Sequence, residues 1–281
     1  MRDKPRREQS AIATIVIWAA RAAILVMLYL VAVAVYHLLL RTIVDDRRIL
    51  TGLFALWVVT AYIVLPRVHR TLTKWYIPNY FIGRVRTGDG LLGDPVNLAV
   101  DGTEEELVAA MTAAGWVRAE ELNLGSTLKM VKATILRRSY PSAPVSSLFL
   151  FSRQQDLAFQ QEVGGSTSQR HHVRFWRSPE GWYLPGGYQA DWLGAATFDR
   201  AVGFSLFTGQ ITHKIAENTD EERDYVVETV LAATPGARVD VMEHFVSGYH
   251  DRNGGGDRII TDGSLPFLRL PSAVKRVPVA A

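Results

Sequence analysis

The sequence predicts an α+β protein in which a two-helix transmembrane hairpin precedes a soluble domain with a mostly antiparallel sheet and two or three helices. Two apolar runs near the N-terminus predict the hairpin, because each is close to the ~20 residues needed to cross the hydrocarbon core. Further on, one helical pattern precedes a series of short strands and another follows them, as is typical of α+β folds. The expected divisions are a basic tail (1–10), the hairpin (11–66), a juxtamembrane segment (67–86), the soluble domain (87–270) and a disordered tail (271–281).

The chain has 281 residues, 48% of them hydrophobic, and no cysteine. A disulfide scaffold, a thiolate metal site and a cysteine nucleophile are therefore excluded. Residues 1–91 contain 13 Lys and Arg against 5 Asp and Glu, a net charge of +8. Residues 92–281 contain 18 Lys and Arg against 23 Asp and Glu, a net charge of −5. The basic charge flanks the apolar runs, where anionic lipid headgroups attract it. The acidic remainder lacks the clustered basic face that a nucleic-acid partner requires.

The first apolar run, 11–40, is interrupted only by Arg21 and His37. Its last part is long enough to span the bilayer, and Arg21 can extend its side chain to the headgroups. The run is too long for a signal peptide and lacks a small-residue cleavage site. The second run, 49–66, follows a short loop and is expected to end at Pro66, because proline interrupts helices.

Basic residues near the helix ends predict the orientation, because short loops rich in Lys and Arg stay in the cytoplasm. The segments outside the hairpin contribute nine such residues, whereas the loop 41–48 contributes three. Both termini and the soluble domain are therefore expected in the cytoplasm. The expected location is the inner (plasma) membrane, which the chain crosses more than once.

The soluble domain shows clear helix and strand patterns. Residues 103–114 predict a helix, because Thr103 and Glu106 have the spacing of a capping box. A second strong helix is predicted over 219–232, where the acidic residues at its start favour the helix dipole. A weaker helical pattern covers 126–136. Apolar or alternating runs predict strands at 96–100, 148–152, 157–162, 172–177, 192–197, 202–206, 210–215, 239–246 and 258–261.

Charged side chains are concentrated in segments that otherwise look like buried strands. The densest stretch is Arg170-His171-His172-Val173-Arg174-Phe175-Trp176. On a strand, alternate residues share a face, so Arg170, His172, Arg174 and Trp176 are expected together and the other three opposite them. Buried charges are costly unless they are paired. These residues therefore form either a functional site or a structural polar network.

The first interpretation of this stretch is an anion site. Arg153, Arg170 and Arg174 would converge on a phosphate or carboxylate through bidentate hydrogen bonds. His172 or His213 would serve as acid or base if a reaction occurs, because the imidazole titrates near neutral pH.

Two other interpretations stay open. In one, a divalent metal is bound by a histidine and distant partners, although no metal-binding spacing supports it; the candidate ligands are His171, His172 and His213. In the other, the network is structural, and Arg153 and Arg174 pair with carboxylates; the candidates are Asp156, Glu162 and Asp224.

Three carboxylates complete the set of candidate residues. Asp156 is the third catalytic candidate, after His172 and His213. Asp199 stands at the end of a predicted strand, a position common to ligand-binding residues and to turns. Asp224 lies in the first turns of the predicted helix 219–232, where acidic residues are frequent for structural reasons.

Several short motifs follow one another in a fixed order. They are Gly93-Asp94-Pro95-Val96-Asn97, Gly115-Trp116, Tyr140-Pro141 through Val145-Ser146, Arg153 to Gln160, Arg170 to Trp176, Gly194 to Asp199, Thr212-His213 and Glu222-Arg223-Asp224. Together they resemble the LssY-like C-terminal domain family of bacterial membrane proteins, over roughly residues 85–250. The family commonly has a second histidine after the position of His213, where this chain has Lys214. Larger relatives resemble fusions to membrane modules of the DedA or lipid-phosphatase type, which implies an envelope setting but no particular activity.

Two functional hypotheses follow. The first is a membrane-anchored accessory protein of the bacterial envelope whose soluble domain binds an anion or a partner. The alternative is a hydrolase that acts on an envelope phosphate or ester through a His/Arg/Asp site. No cofactor is predicted beyond the divalent metal of the second interpretation. The expected partners are the lipid bilayer and another envelope membrane protein.

Overall fold

The computed structural model describes residues 46–76, 81–120, 140–164, 166–245 and 251–271, together with isolated positions between 26 and 37. The chain divides into two compact units, Met1–Leu65 and Pro66–Ala281. Three predictions fall wholly or almost wholly outside the described residues: the first membrane helix, the weaker helix at 126–136 and the disordered tail.

Three continuous helices are present within the described residues. The first consists of α1 (Asp46–Val59), a π-helical turn (Thr60–Val64) and α2 (Leu65–Tyr76). The other two are α3 (Glu104–Ala113) and α4 (Thr219–Ala233). The predicted capping box of α3 is confirmed, because the Thr103 side chain accepts from the Glu106 N–H and the Glu106 carboxylate accepts from the Thr103 N–H.

Part of the first helix, Ile49–Leu72, contains 18 residues with a mean hydropathy of 2.1 and is the one helix in the described part of the chain that is long and apolar enough to cross a membrane. The expected end at Pro66 is wrong, because the helix continues to Tyr76. Directly before the proline, the Leu65 N–H bonds to the carbonyl of Thr60, five residues earlier. This wider turn makes room for the proline ring, which in a regular α-helix clashes with the carbonyl four residues before it.

A small antiparallel sheet has the strand order β2-β1-β5-β6. Its strands are β1 (Arg84–Thr87), β2 (Leu92–Pro95), β5 (Leu148–Leu150) and β6 (Arg153–Gln154). The first strand of this sheet begins at Arg84.

A larger sheet has the order β11-β12-β3-β9-β8-β7-β4, and β10 pairs with β9. Its strands are β3 (Leu98–Asp101), β4 (Val117–Arg118), β7 (Leu157–Val163), β8 (Ser166–Arg177), β9 (Trp192–Phe204), β10 (Ile211–Ile215), β11 (Arg238–Met242) and β12 (Leu265–Arg269). Only β12 and β3 pair in parallel among these strands, so the predicted mostly antiparallel α+β domain is confirmed.

Two strand predictions change in detail. The predicted strand at 202–206 is not a separate strand, because residues 202–204 are the end of β9, which runs without interruption from Trp192 to Phe204, and residues 205 and 206 lie in the following turn. The predicted strand at 258–261 is wrong, because this segment is a loop whose Ile260 makes a single bridge to Asn218. The apolar pair Ile259-Ile260 gave the strand signal, yet Ile260 is 45% exposed.

The large sheet is covered differently on its two faces. One face packs against α3 and α4, where Leu107 and Val226 meet Phe175 in the main core. The other face contributes Trp176 and Leu193 to a second core that includes residues of the small sheet. Arg170, His172 and Arg174 of β8 share this second face with Trp176.

Candidate functional site

Three neighbouring strands place their polar side chains on one buried face of the large sheet. The register pairs His172 of β8 with Gln160 of β7 on one side and with Thr197 of β9 on the other, and it pairs Arg170 with Asp199. Alternate residues of β8 share this face, as the sequence pattern indicates. All five residues are at most 3% exposed, so the arrangement is a buried polar network.

Arg170 and His172 both approach the carboxylate of Asp199. Arg170 Nε donates to Asp199 Oδ2 at 2.9 Å, and Arg170 Nη1 donates to Gln160 Oε1 at 2.8 Å. His172 Nε2 lies 2.8 Å from the Thr197 hydroxyl, whereas its Nδ1 lies 3.4 Å from Asp199 Oδ1. The second distance is longer than an ordinary hydrogen bond, so the imidazole is held chiefly by Thr197.

Arg174 of β8 pairs with a second carboxylate, that of Asp94 on β2. Arg174 Nη1 lies 3.3 Å from Asp94 Oδ2, and its remaining nitrogens donate to the hydroxyl and carbonyl of Ser146. Arg84 is also buried and donates to the carbonyls of Gly93 and Arg252. Among these contacts, the buried ion pair between Arg174 and Asp94 joins the two sheets.

The pKa values of this network follow from burial and from the neighbouring charges. Burial lowers the pKa of His172 well below its ordinary value, against the attraction of Asp199, and the charges of Arg174 and Arg170 lower it further. Burial by itself would raise the pKa of Asp199, but attraction by His172, His213 and Arg170 outweighs that effect and lowers it. Attraction by a histidine requires its protonated form, so at neutral pH, where His172 is neutral, the hydrogen-bonded guanidinium of Arg170 is the charge that keeps Asp199 ionised.

For Asp94 and Arg84, the effect of burial on the pKa outweighs the attraction between their charges. It raises the pKa of Asp94, with partial opposition from Arg174 and Arg84. Burial also lowers the pKa of Arg84 to about 10, with attraction by Asp94 opposing it. Asp94 lies close enough to both arginines for their charges to oppose the rise in its pKa.

His171 points to the opposite face, as predicted, and belongs to a separate cluster. Its Nδ1 lies 2.7 Å from Oε2 of Glu222 on α4, and its ring stacks on Tyr225 with 4.2 Å between centroids. Glu222 is 3% exposed, and burial raises its pKa, with the His171 contact opposing this rise. The two adjacent histidines therefore cannot act on one ligand.

The remaining predicted residues lie in other surroundings. His213 on β10 is close enough for its positive charge to lower the pKa values of both His172 and Asp199. Asp224 accepts from Arg223 at the start of α4, where Asp262 also pairs with that arginine. Among the described residues, no group of three or more His, Cys, Asp or Glu side chains could hold a metal ion.

Arg153 has different partners from Arg170 and Arg174. It lies on β6, 3.1 Å from Asp156, and also donates to the carbonyl of Arg177. Asp156 accepts in turn from the Arg177 N–H at 2.8 Å. The structure therefore gives the three predicted arginines separate carboxylates and not one common anion position.

A surface cavity of about 600 Å³ lies where β6 meets the connection between β8 and β9. It is lined by Arg153, Arg177, Ser178, Pro179, Glu180, Gly181, Trp182, Gln189, Ala190 and Asp191. Within the part of the chain that the structure describes, two buried polar atoms in this lining have no hydrogen-bond partner: Arg153 Nε and Ser178 Oγ. The guanidinium of Arg177 is exposed and lies over the Trp192 ring, 5.9 Å from its centroid.

Sequence reasoning missed several of these residues for identifiable reasons. Asp94 and Gln160 stand inside motifs that the sequence singled out, but Arg174, the partner of Asp94, is 80 residues away in the chain, and the contact of Gln160 with Arg170 depends on the register of two strands. Arg177 and Ser178 follow the densest charged stretch directly, and the turn Ser178-Pro179-Glu180-Gly181 is a recognisable loop signal. That signal marks a turn without indicating that a cavity lies beside it.

Comparison with known proteins gives one finding. A family model described as LssY C-terminus matches residues 74–265. No curated protein and no solved structure matches the chain. The matched segment contains both the buried network and the surface cavity.

Proposed function

We propose that this chain, which belongs to the LssY C-terminus family, is a membrane-anchored accessory protein of the bacterial envelope whose soluble domain binds an anionic ligand. The observation that carries this proposal is the surface cavity, where Arg153 Nε and Ser178 Oγ are buried without a partner in the described protein. Such groups cost free energy unless a ligand or water satisfies them. Rotation of the Arg153 and Ser178 side chains toward the cavity would bring both groups to a phosphate or carboxylate oxygen, which supplies the acceptor that they lack.

The cavity also favours a particular class of anion. Two guanidinium groups, from Arg153 and Arg177, suit a phosphate group because arginine binds its oxygens in a planar, forked geometry. The carboxylates of Glu180 and Asp191 on the same lining can accept hydrogen bonds from hydroxyl or amino groups. A phosphate ester with a hydroxylated or amino-bearing part, as in lipid headgroups, matches this combination.

Two membrane helices are part of the proposal. Ile49–Leu72 has the required length and composition, and the apolar run 11–40, which lies outside the described residues save for a few positions, would be the other. The excess of basic residues outside the loop 41–48 favours a cytoplasmic soluble domain in the inner membrane. Another membrane protein of the envelope remains the expected protein partner.

A hydrolase that uses His172 and His213 is less well supported. His172, Arg170 and Arg174 are only 2–4% exposed, and each arginine already has a carboxylate partner. A substrate would have to displace these ion pairs before it reached the imidazole. The surface cavity, by contrast, is open in the present structure.

The test is binding of glycerol 3-phosphate and of inorganic phosphate to the full chain in phosphatidylcholine nanodiscs, measured by calorimetry. We expect glycerol 3-phosphate to bind and Arg177→Gln to weaken its binding about 10-fold or more, because a charge-assisted hydrogen bond contributes roughly 1.5–3 kcal/mol. Ser178→Ala should weaken binding without lowering the melting temperature, since the hydroxyl has no partner among the described residues. The matched control is Arg118→Gln on the exposed strand β4.

A second arm of the experiment distinguishes a lipid headgroup from a soluble phosphate ester as the ligand. Nanodiscs that contain phosphatidylglycerol present the same phosphate ester from a lipid, and they should reduce the apparent affinity for soluble glycerol 3-phosphate if the headgroup occupies the cavity. An unchanged affinity would assign the cavity to a soluble phosphate ester. Absence of binding in both arms, or equal affinity of the Arg177→Gln variant, would contradict the proposal.

A further inference from the structure

The hairpin of β9 and β10 ends in an exposed apolar tip. Phe204, Leu206, Phe207 and Ile211 are 62%, 70%, 40% and 55% exposed. The register places Phe204 opposite Ile211, so their side chains lie on one face. No residue from 203 to 211 is charged. A contiguous exposed apolar surface of this kind marks a contact with a partner or a membrane.

The backbone holds this tip in a defined shape. The Ser205 N–H donates to the carbonyl of Gln210 at 2.7 Å, and the Leu206 N–H donates to the carbonyl of Gly255 at 2.9 Å. Gly256 has a φ of +85°, and a Cβ atom there would lie 2.3 Å from the Cβ of Leu206. Because the loop of Gly255 and Gly256 supports Leu206 from below, its side chain stays directed outward.

The tip also contacts α2 within the unit Pro66–Ala281. His69 Nε2 on α2 lies 2.8 Å from the carbonyl oxygen of Phe207. Two exposed basic residues of the same helix, Arg67 and Arg70, are close to His69 in sequence. Apolar side chains next to basic ones are the combination that binds an interface rich in anionic lipid.

We propose that the tip inserts into the interfacial region of the bilayer and gives the soluble domain a second contact with the membrane. The occupant is lipid because the tip is bonded to residue 69, within the last turn of the stretch that meets the length and composition of a membrane span. The inference rests on the membrane anchor of the proposed function. The contact of the tip with the bilayer would restrict the orientation of the domain relative to the membrane, which the anchor by itself does not do.

The test uses the absence of cysteine from the natural sequence. Single cysteines are introduced into the full chain by Leu206→Cys, Val241→Cys and Leu53→Cys, labelled with an environment-sensitive fluorophore, and reconstituted in nanodiscs of phosphatidylglycerol and phosphatidylcholine. Quenching by nitroxide-bearing lipids is then measured for each position. Val241 is the matched control, because it is an apolar residue with 57% exposure on β11.

We expect the label at position 206 to emit at shorter wavelength and to lose most of its intensity to the nitroxide lipids. The label at 241 should emit as in water and keep its intensity. The label at position 53 reports the anchor independently, since Leu53 lies inside Ile49–Leu72. Quenching at 53 without quenching at 206 would overturn the tip proposal alone. Loss of quenching at both positions would contradict the anchor as well.

Discussion

The neutral state of His172 is the residue-scale feature with the clearest physical consequence. The ring is buried beside Asp199, yet burial and two nearby guanidinium groups keep its pKa well below the ordinary value. In the unfolded chain the same imidazole binds a proton below about pH 6.5. Between that pH and the lowered pKa of the folded state, the unfolded chain therefore binds more protons, and stability falls as the pH falls.

We expect His172→Gln to remove this part of the pH dependence. The free energy of unfolding of the natural chain should fall below pH 6.5, and the contribution of His172 approaches about 1.4 kcal/mol per pH unit. The measurement is chemical denaturation of both proteins in micelles at pH 7.5, 6.5 and 5.5. Asp94 and Glu222, whose pKa values are raised, act in the opposite direction at lower pH, so the quantity compared is the difference between the two proteins. Equal slopes would show that His172 is protonated in the folded state.

At the scale of elements, the start of α3 shows how a local signal fixes a helix end. The Thr103 hydroxyl and the Glu106 carboxylate satisfy two N–H groups that the first turn cannot bond internally. The helix then contributes Leu107 and Met111 to the main core. This core packs against the face of the large sheet that is opposite the polar network.

We expect Thr103→Ala to lower the free energy of unfolding by about 1 kcal/mol, the usual cost of losing a helix N-cap. The matched control is Thr112→Ala on the same helix, where the hydroxyl bonds the carbonyl of Val108 and the residue is exposed. That replacement should be neutral or slightly stabilising, because alanine is the better helix former. Denaturant titration of both variants measures the two effects. A control that loses as much as Thr103→Ala would show that the cap is not the cause.

The same scale shows what sequence patterns can and cannot predict. The alternation along β8 correctly placed Arg170 with His172 and opposite His171, because it depends only on strand geometry. The partner of Arg174 is Asp94, which lies 80 residues away, and no local pattern contains that information. The predicted helix end at Pro66 was wrong for another reason. The π-helical turn that accommodates the proline is a change in backbone hydrogen bonding that composition does not reveal.

At the scale of the whole molecule, the cavity and the hairpin tip belong to the unit Pro66–Ala281. If both proposals hold, this unit binds a phosphate ester and touches the membrane through the tip. A lipid headgroup would then be within the reach of the same domain without leaving the interface. The buried ion pair between Arg174 and Asp94 would hold the two sheets of this unit together, because removing one partner of a buried pair is strongly destabilising.

The final prediction concerns the topology of the full chain. Arg84 is buried within its unit and is not available to lipid. Without it, eight basic residues flank the predicted hairpin, whereas the loop 41–48 holds three. The excess of basic residues outside the loop therefore still favours a cytoplasmic location for both termini. We expect a cysteine introduced by Asp45→Cys to react with a membrane-impermeant maleimide in intact bacterial cells. A cysteine introduced by Glu180→Cys should react only after the cells are permeabilised. Reaction of both or only of position 180 in intact cells would contradict the two-helix topology with a cytoplasmic domain.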